Sequence, residues 1–138
     1  MGGNLFFLEA DGYCVLRTTD AAAELGVSVA SEPIGVDTAR MADDYHQYRT
    51  RGGEPHVLIG DPYRAAVSAA DVTRVVQEFR ILDPDTKFVV YTTGGSLDGL
   101  RFDKKTAAEI QGVVLKHTDA VGELTHILSL FGVTVQAS

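Results

Sequence analysis

The chain has 138 residues, 45% of them hydrophobic and 22% charged, which is the composition of one globular domain and excludes disordered and fibrous classes. Its 12 basic and 19 acidic side chains leave a net charge of −7, which opposes nonspecific contact with a phosphate backbone, so no nucleic-acid partner is expected. No apolar run nears the ~20 residues that cross a bilayer. No basic-then-apolar leader opens the chain, and the single cysteine, Cys14, excludes an internal disulfide, so a cytoplasmic domain without membrane contact is expected.

Leu5 to Leu8 is an apolar run ending in Glu9-Ala10-Asp11-Gly12, and it predicts the first strand. Tyr13 to Leu25 supports two readings. Asp11-Gly12 between apolar runs is a hairpin signal. The alanines 21 to 23 and Leu25 favour a helix ending at Gly26, and helix is the expectation. Val27 to Ala30 predicts a second strand, stopped by Ser31-Glu32-Pro33. Asp37 to Thr50 reads as a helix with Met41, Tyr45 and Tyr48 on one side, a stripe more often core or partner surface than cofactor site.

His56 to Gly60 is the third strand, after the breaker cluster Gly52-Gly53-Glu54-Pro55. Ser68 and Asp71 make a capping-box-like start, Val72, Val75, Val76 and Phe79 form one apolar stripe, and Asp83-Pro84 ends it. Phe88 to Thr93 is the fourth strand, bounded by Asp85 and by Gly94-Gly95, which reads as a loop. Leu97 to Ile110 is helical in part, and Gly112 to Leu115 is the fifth strand. Val121, Leu124, Leu128 and Phe131 form the last stripe, with Thr118 or Asp119 as cap and Gly132 as stop.

Near-continuous apolar runs alternating with helices predict an α/β fold. The expected architecture is a doubly wound five-stranded parallel sheet of order 2-1-3-4-5, flavodoxin-like, with helices on both faces and residues 1–138 in one domain. Sites in such sheets lie at the carboxyl ends of the strands. That rule selects Glu9 and Asp11, Asp61, Thr92 and Thr93, and Lys116. Clustered carboxylates repel unless a cation or a proton offsets them, and oxygen ligands of this kind suit Mg²⁺. A lysine and a hydroxyl nearby would complete a pocket for a phosphoryl group.

Leu5-Phe6-Phe7-Leu8-Glu9-Ala10-Asp11, Val57-Leu58-Ile59-Gly60-Asp61, Phe88-Val89-Val90-Tyr91-Thr92-Thr93 and Gly112-Val113-Val114-Leu115-Lys116 resemble the strand ends of a bacterial response-regulator receiver domain of the single-domain kind. The resemblance covers nearly the whole chain. It implies Asp61 as phosphoacceptor in a two-component system. Glu9 or Asp11, with Asp61 and the main-chain carbonyl of Tyr63, would hold Mg²⁺. Thr92 would contact the phosphoryl group, Lys116 would pair with it, and Tyr91, Val113 and His117 would belong to the switch and partner face. A histidine kinase or histidine phosphotransfer protein would donate the phosphoryl group. The chain ends seven residues past Phe131. Output is therefore expected through a downstream protein partner, a homodimer or onward relay, with no catalysis beyond the domain's own phosphorylation and dephosphorylation.

Four features depart from that pattern. Ala10 interrupts the usual adjacent acids, His117 stands where proline usually follows the lysine, Val113 replaces the usual aromatic, and the loop Pro62-Tyr63-Arg64-Ala65 lacks a further proline. They motivate the alternative of a degenerate, non-phosphorylated receiver that serves as a binding or dimerisation module. Two further readings are weaker. Thr18 to Ser28 resembles the first helix and turn of a helix-turn-helix, but Glu32, Pro33 and Gly35 suit no recognition helix. An aspartate-nucleophile phosphohydrolase needs an acid two residues after the nucleophile, where Tyr63 stands. The histidines lack zinc spacing.

Overall fold

A computed structural model of the chain describes residues 4–35, 37–60, 69–93, 104–117 and 119–134. Their order is β1 (Leu5–Leu8), α1 (Gly12–Glu24), β2 (Val29–Glu32), α2 (Thr38–Thr50), β3 (His56–Ile59), α3 (Ala69–Leu82), β4 (Lys87–Thr92), α4 (Lys104–Glu109), β5 (Ile110–Leu115) and α5 (Ala120–Leu130). All strand pairs are parallel, as the alternation predicts, and the sheet order is the expected β2-β1-β3-β4-β5. No helix among the described residues is long and apolar enough to cross a membrane.

Strand side chains alternate between faces, so a strand covered on both sides must be apolar throughout. β1 and β3 meet that demand. Phe6, Leu8, Val57 and Ile59 face α2 and α3, whereas Leu5, Phe7 and Leu58 face α1 and α5. On the first face Phe6, Tyr45, Tyr48 and Phe79 form an aromatic layer, with Tyr45 stacked on Phe79 at 4.7 Å between centroids. The Met41, Tyr45, Tyr48 stripe is therefore core. Each such side chain contributes about 1.5–3 kcal/mol by burial.

The hairpin reading of Asp11-Gly12 gives way to the helix. Asp11 caps α1 by accepting from the Tyr13 amide at 3.0 Å, and Cys14, Thr18, Ala21 and Ala22 line its buried side. Gly26, at φ 71°, closes the helix, with the Val27 amide returned to the Ala22 carbonyl. Because Val27 is spent on that closure, β2 runs from Val29 to Glu32, not from Val27 to Ala30. Ser31 and Glu32 are accommodated because β2 is an edge strand. The strand at this position also overturns the helix-turn-helix reading.

The other edge differs from expectation too. β5 starts at Ile110, where a helix end was expected, and a register shift lets Phe88 pair Ile110 while Val89 pairs Gly112. A Cβ on Gly112 would lie 2.9 Å from Leu130, so the bare backbone lets α5 close on the edge. Asp119 caps α5 through the Gly122 amide at 2.9 Å. Ser68, Gly94-Gly95 and the first part of Leu97–Ile110 lie outside the described residues. Asp71 accepts from Arg74 at 2.6 Å within α3.

Candidate functional site at the carboxyl ends of the strands

Parallel strands deliver their carboxyl ends to one edge, and three predicted residues arrive there. Glu9 follows β1, Thr92 ends β4 and Lys116 follows β5. The Lys116 amide donates to the Thr92 carbonyl at 2.7 Å, extending the β4–β5 ladder by one rung and fixing where the side chain departs. From there Lys116 spans the ends of β4 and β3, which separate it from β1 in the sheet. Its Nζ reaches Glu9 Oε1 at 2.5 Å. The two side chains are 6% and 0% exposed.

Glu9 is seated by backbone. Its Oε2 accepts from the Ala10 amide at 3.0 Å and the Asp11 amide at 3.4 Å. Gly60, after β3, donates to the Leu8 carbonyl at 2.6 Å. A Cβ on Gly60 would stand 2.5 Å from Glu9 Oε1, so glycine here is the floor on which the carboxylate rests. The pair thus lies against the residue that precedes Asp61. Two charges removed from water need this degree of mutual satisfaction, since desolvation otherwise exceeds their attraction. Burial pushes the Cys14 thiol up. Lys116 pulls against that shift and Glu9 and Asp11 add to it.

The Lys116 ammonium also lies 5.3 Å from the centroid of the Tyr91 ring. Tyr91 is 1% exposed, which corrects its expected place on the partner face: β4 is central, and its residue 91 points into the layer under α1 and α5. Its hydroxyl donates to Glu123 Oε1 at 2.5 Å and accepts from Arg17 Nη1 at 2.6 Å. Arg17 Nη2 donates to the His117 carbonyl at 2.6 Å and to Glu123 Oε1 at 3.1 Å, while Glu123 Oε2 accepts from the His117 amide at 3.0 Å. Burial, followed by the bond to Glu123, raises the Tyr91 phenol above its ordinary range.

The other predicted residues divide. Thr92 is buried at the adjacent strand end, and Thr93 is exposed beyond it. Val113, on the edge strand, is 42% exposed and His117 is exposed, so both are open to a partner. Asp61 and Tyr63 lie outside the described residues. Gly60, Arg17 and Glu123 were missed. Glycine's role is visible only once β1 and β3 are neighbours, and Arg17 and Glu123 stand 106 residues apart with no local motif.

The fit to a divalent ion is partial. Glu9 offers a carboxylate of the right kind in the right place, yet Lys116 already neutralises it. Ala10 offers no donor. Asp11, one of the expected ligands, turns an oxygen to the first turn of α1 because an exposed helix start needs its amides satisfied. Among the described residues, no group of three or more His, Cys, Asp or Glu side chains is gathered to hold a metal.

No protein-family model matches the chain, and no curated protein sequence matches it. Solved structures do. A CheY-like response regulator receiver domain from Methanospirillum hungatei JF-1 aligns with a TM-score of 0.69 at 12% identity, over 96% of this chain and 95% of that one. The receiver domain of a sensor histidine kinase from Pseudomonas aeruginosa PAO1, solved with magnesium in its active-site cleft, aligns at 0.66 and 12% identity, over 96% and 99%. Lysine decarboxylase A from Pseudomonas aeruginosa aligns at 0.68 and 11% identity, over 95% of this chain but 18% of its own. Identities this low carry fold alone. Over nearly its whole length, the chain shares the fold of response-regulator receiver domains.

Proposed function

We propose that this chain is a two-component signalling receiver that accepts a phosphoryl group on Asp61. The observation that carries the proposal is the buried Lys116 ammonium, held over the strand ends beside the residue preceding Asp61. A carboxylate attacks a phosphorus poorly until the phosphoryl oxygens are neutralised. In the transfer, an Asp61 oxygen bonds to phosphorus as the phosphorus–nitrogen bond of a donor phosphohistidine breaks. The electron pair leaves with the imidazole, and an acyl phosphate remains. Lys116 supplies positive charge on one side, and the Thr92 hydroxyl is placed at the neighbouring strand end. Mg²⁺, when bound, supplies further neutralisation, and Glu9, Asp61 and the Tyr63 carbonyl would hold it. The donor is a cytoplasmic histidine kinase or phosphotransfer protein. Output passes through the exposed edge around Val113 and His117 to a downstream protein or a second copy.

The Glu9–Lys116 pair also gives the site two demands to reconcile. The new phosphoryl charge would compete with Glu9 for one ammonium, and moving that ammonium alters the turn between β5 and α5. A second reading follows from the same pair. With Glu9 neutralised, Ala10 without a donor and Asp11 on the helix cap, the fold serves equally as a non-phosphorylated binding or dimerisation module.

Incubation with acetyl phosphate and Mg²⁺, read by intact mass, separates the two. The first reading expects one phosphoryl adduct that is absent in Asp61→Ala. No adduct on the native chain, together with no spectral change on adding beryllofluoride, removes it in favour of the second.

A further inference from the structure

The three groups behind Lys116 form a closed arrangement of their own. Arg17 comes from α1, Tyr91 from β4 and Glu123 from the first turn of α5. Between them they hold both peptide groups of His117: Arg17 donates to its carbonyl and Glu123 accepts from its amide. On the other side of Lys116 the backbone is already fixed, since the Lys116 amide belongs to the β4–β5 ladder. The residue that carries the ammonium is therefore pinned from both directions. Below it, the Tyr91 ring is held at its hydroxyl by two bonds and offers its face to Nζ.

We propose that Arg17, Tyr91 and Glu123 are positioning residues for Lys116, fixing the turn that bears it and the ring it lies over so that the ammonium meets the strand ends in one geometry. The proposal rests on the reading of Lys116 as the group that pairs with a phosphoryl oxygen. Energetics favour position over stability as their role. The Arg17 and Glu123 side chains are 16% and 11% exposed, and a pair so far removed from water gains little over apolar side chains filling the same space. Apolar side chains would not orient a peptide group. A carboxylate accepting from a guanidinium, a phenol and an amide, as Glu123 does, leaves the turn one arrangement. Lys116 has four rotatable bonds of its own, so fixing its base and one face removes much of the freedom that otherwise blurs a point charge.

The test follows the Lys116 ammonium directly, by proton–nitrogen NMR of its Nζ hydrogens. Buried and ion-paired, they exchange slowly with water in the native chain. Glu123→Gln is expected to speed that exchange about tenfold, and Tyr91→Phe by a smaller factor, since the ring stays while its hydroxyl is lost. Asp83→Asn is the control. It breaks the Arg49–Asp83 pair near the opposite end of β4, and it should lower the melting temperature without changing the Lys116 signal. Unchanged exchange in Glu123→Gln, or an equal change in Asp83→Asn, overturns the proposal. Should Glu123→Gln not fold, Tyr91→Phe decides alone: faster Lys116 exchange supports positioning, and unchanged exchange ends it. This readout needs no phosphoryl group. Failure of the native chain to be labelled by acetyl phosphate and to respond to beryllofluoride therefore removes the receiver reading and leaves this measurement standing. If the native chain is labelled, Glu123→Gln should slow labelling severalfold at an unchanged half-saturating Mg²⁺ concentration, and an unchanged rate counts against positioning.

Discussion

Tyr45 and Tyr91 are both buried, lie on opposite faces of one sheet, and each is accompanied by an arginine paired to an acid. Tyr45 bonds Thr86, the residue before β4, at 2.8 Å; Thr86 in turn donates to the Asp83 carbonyl, and Arg49 pairs with Asp83. Arg49 also donates to the Gly53 carbonyl at 2.5 Å. That group joins α2 to the turn that follows α3, and every partner is another structural group. Tyr91 sits at the far end of the same strand, and its arrangement ends on the turn bearing Lys116. The chemistry is shared, and the end of the sheet decides its consequence. At the amino end of β4 an arginine, an acid and a tyrosine close a turn. At the carboxyl end the same three types lie beneath a buried ammonium, where the parallel sheet assembles its site.

The sharpest way to break this comparison is to delete the cation at the carboxyl end. Lys116→Met leaves the buried Glu9 carboxylate with its two amide donors and no counter-charge and should cost about 3–5 kcal/mol, whereas Glu9→Gln with Lys116→Met should recover most of it. Arg49→Met, at the more exposed pair, should cost clearly less, because water solvates the Asp83 carboxylate left behind. Urea unfolding of the three variants beside the native chain measures this, and equal losses from Lys116→Met and Arg49→Met would erase the distinction between the two ends.

Two glycines sharpen it with a smaller effect. An added Cβ at Gly60 would meet Glu9, and one at Gly53 would meet the Tyr48 ring, each at 2.5 Å. Overpacking of this kind costs about 1–3 kcal/mol, so both Gly60→Ala and Gly53→Ala should destabilise. The Gly60 change alone is expected to disturb the Lys116 ammonium spectrum. If Gly53→Ala disturbs it equally, the ends are not independent.

The smallest effect is acid-dependent and lies at the amino end. His56 stacks on Phe131 at 4.8 Å, and its Nδ1 donates to the Asn4 carbonyl at 3.2 Å. Burial lowers its pKa from the ordinary 6.5, outweighing that hydrogen bond. In the window below 6.5 the unfolded chain therefore binds more protons at this residue than the folded one. Its contribution to stability is complete above 6.5 and is lost as pH falls through the folded-state value. Thermal melts between about pH 7.5 and 5.5 should fall less steeply for His56→Gln than for the native chain. Parallel profiles would refute this assignment.

The central strands and several helix starts were legible in the chain. Apolar runs at Leu5–Leu8, His56–Ile59 and Phe88–Thr92 fall where strands form, because a sheet covered on both faces admits little else. Asp37 opened one expected helix and Asp119 was one of two caps expected for the last, and both cap by local hydrogen bonds that need no knowledge of the rest of the molecule. The edges were less legible. β2 and β5 are each half-covered, so their residues carry a weaker apolar signal, and helix closure at Gly26 and a register shift beside Phe88 moved their limits.

What the sequence determined by itself is the parallel α/β architecture and the presence of Glu9 and Lys116 at strand ends, since hydrophobic run length and local capping chemistry are read over a few residues. Only the tertiary structure decided that Lys116 crosses two strands to Glu9 and that Tyr91 turns inward to Arg17 and Glu123. The Lys116–Glu9, Tyr91–Arg17 and Tyr91–Glu123 contacts join residues 32 to 107 positions apart, and which of a charge's many distant partners it meets depends on burial and geometry that no local pattern records.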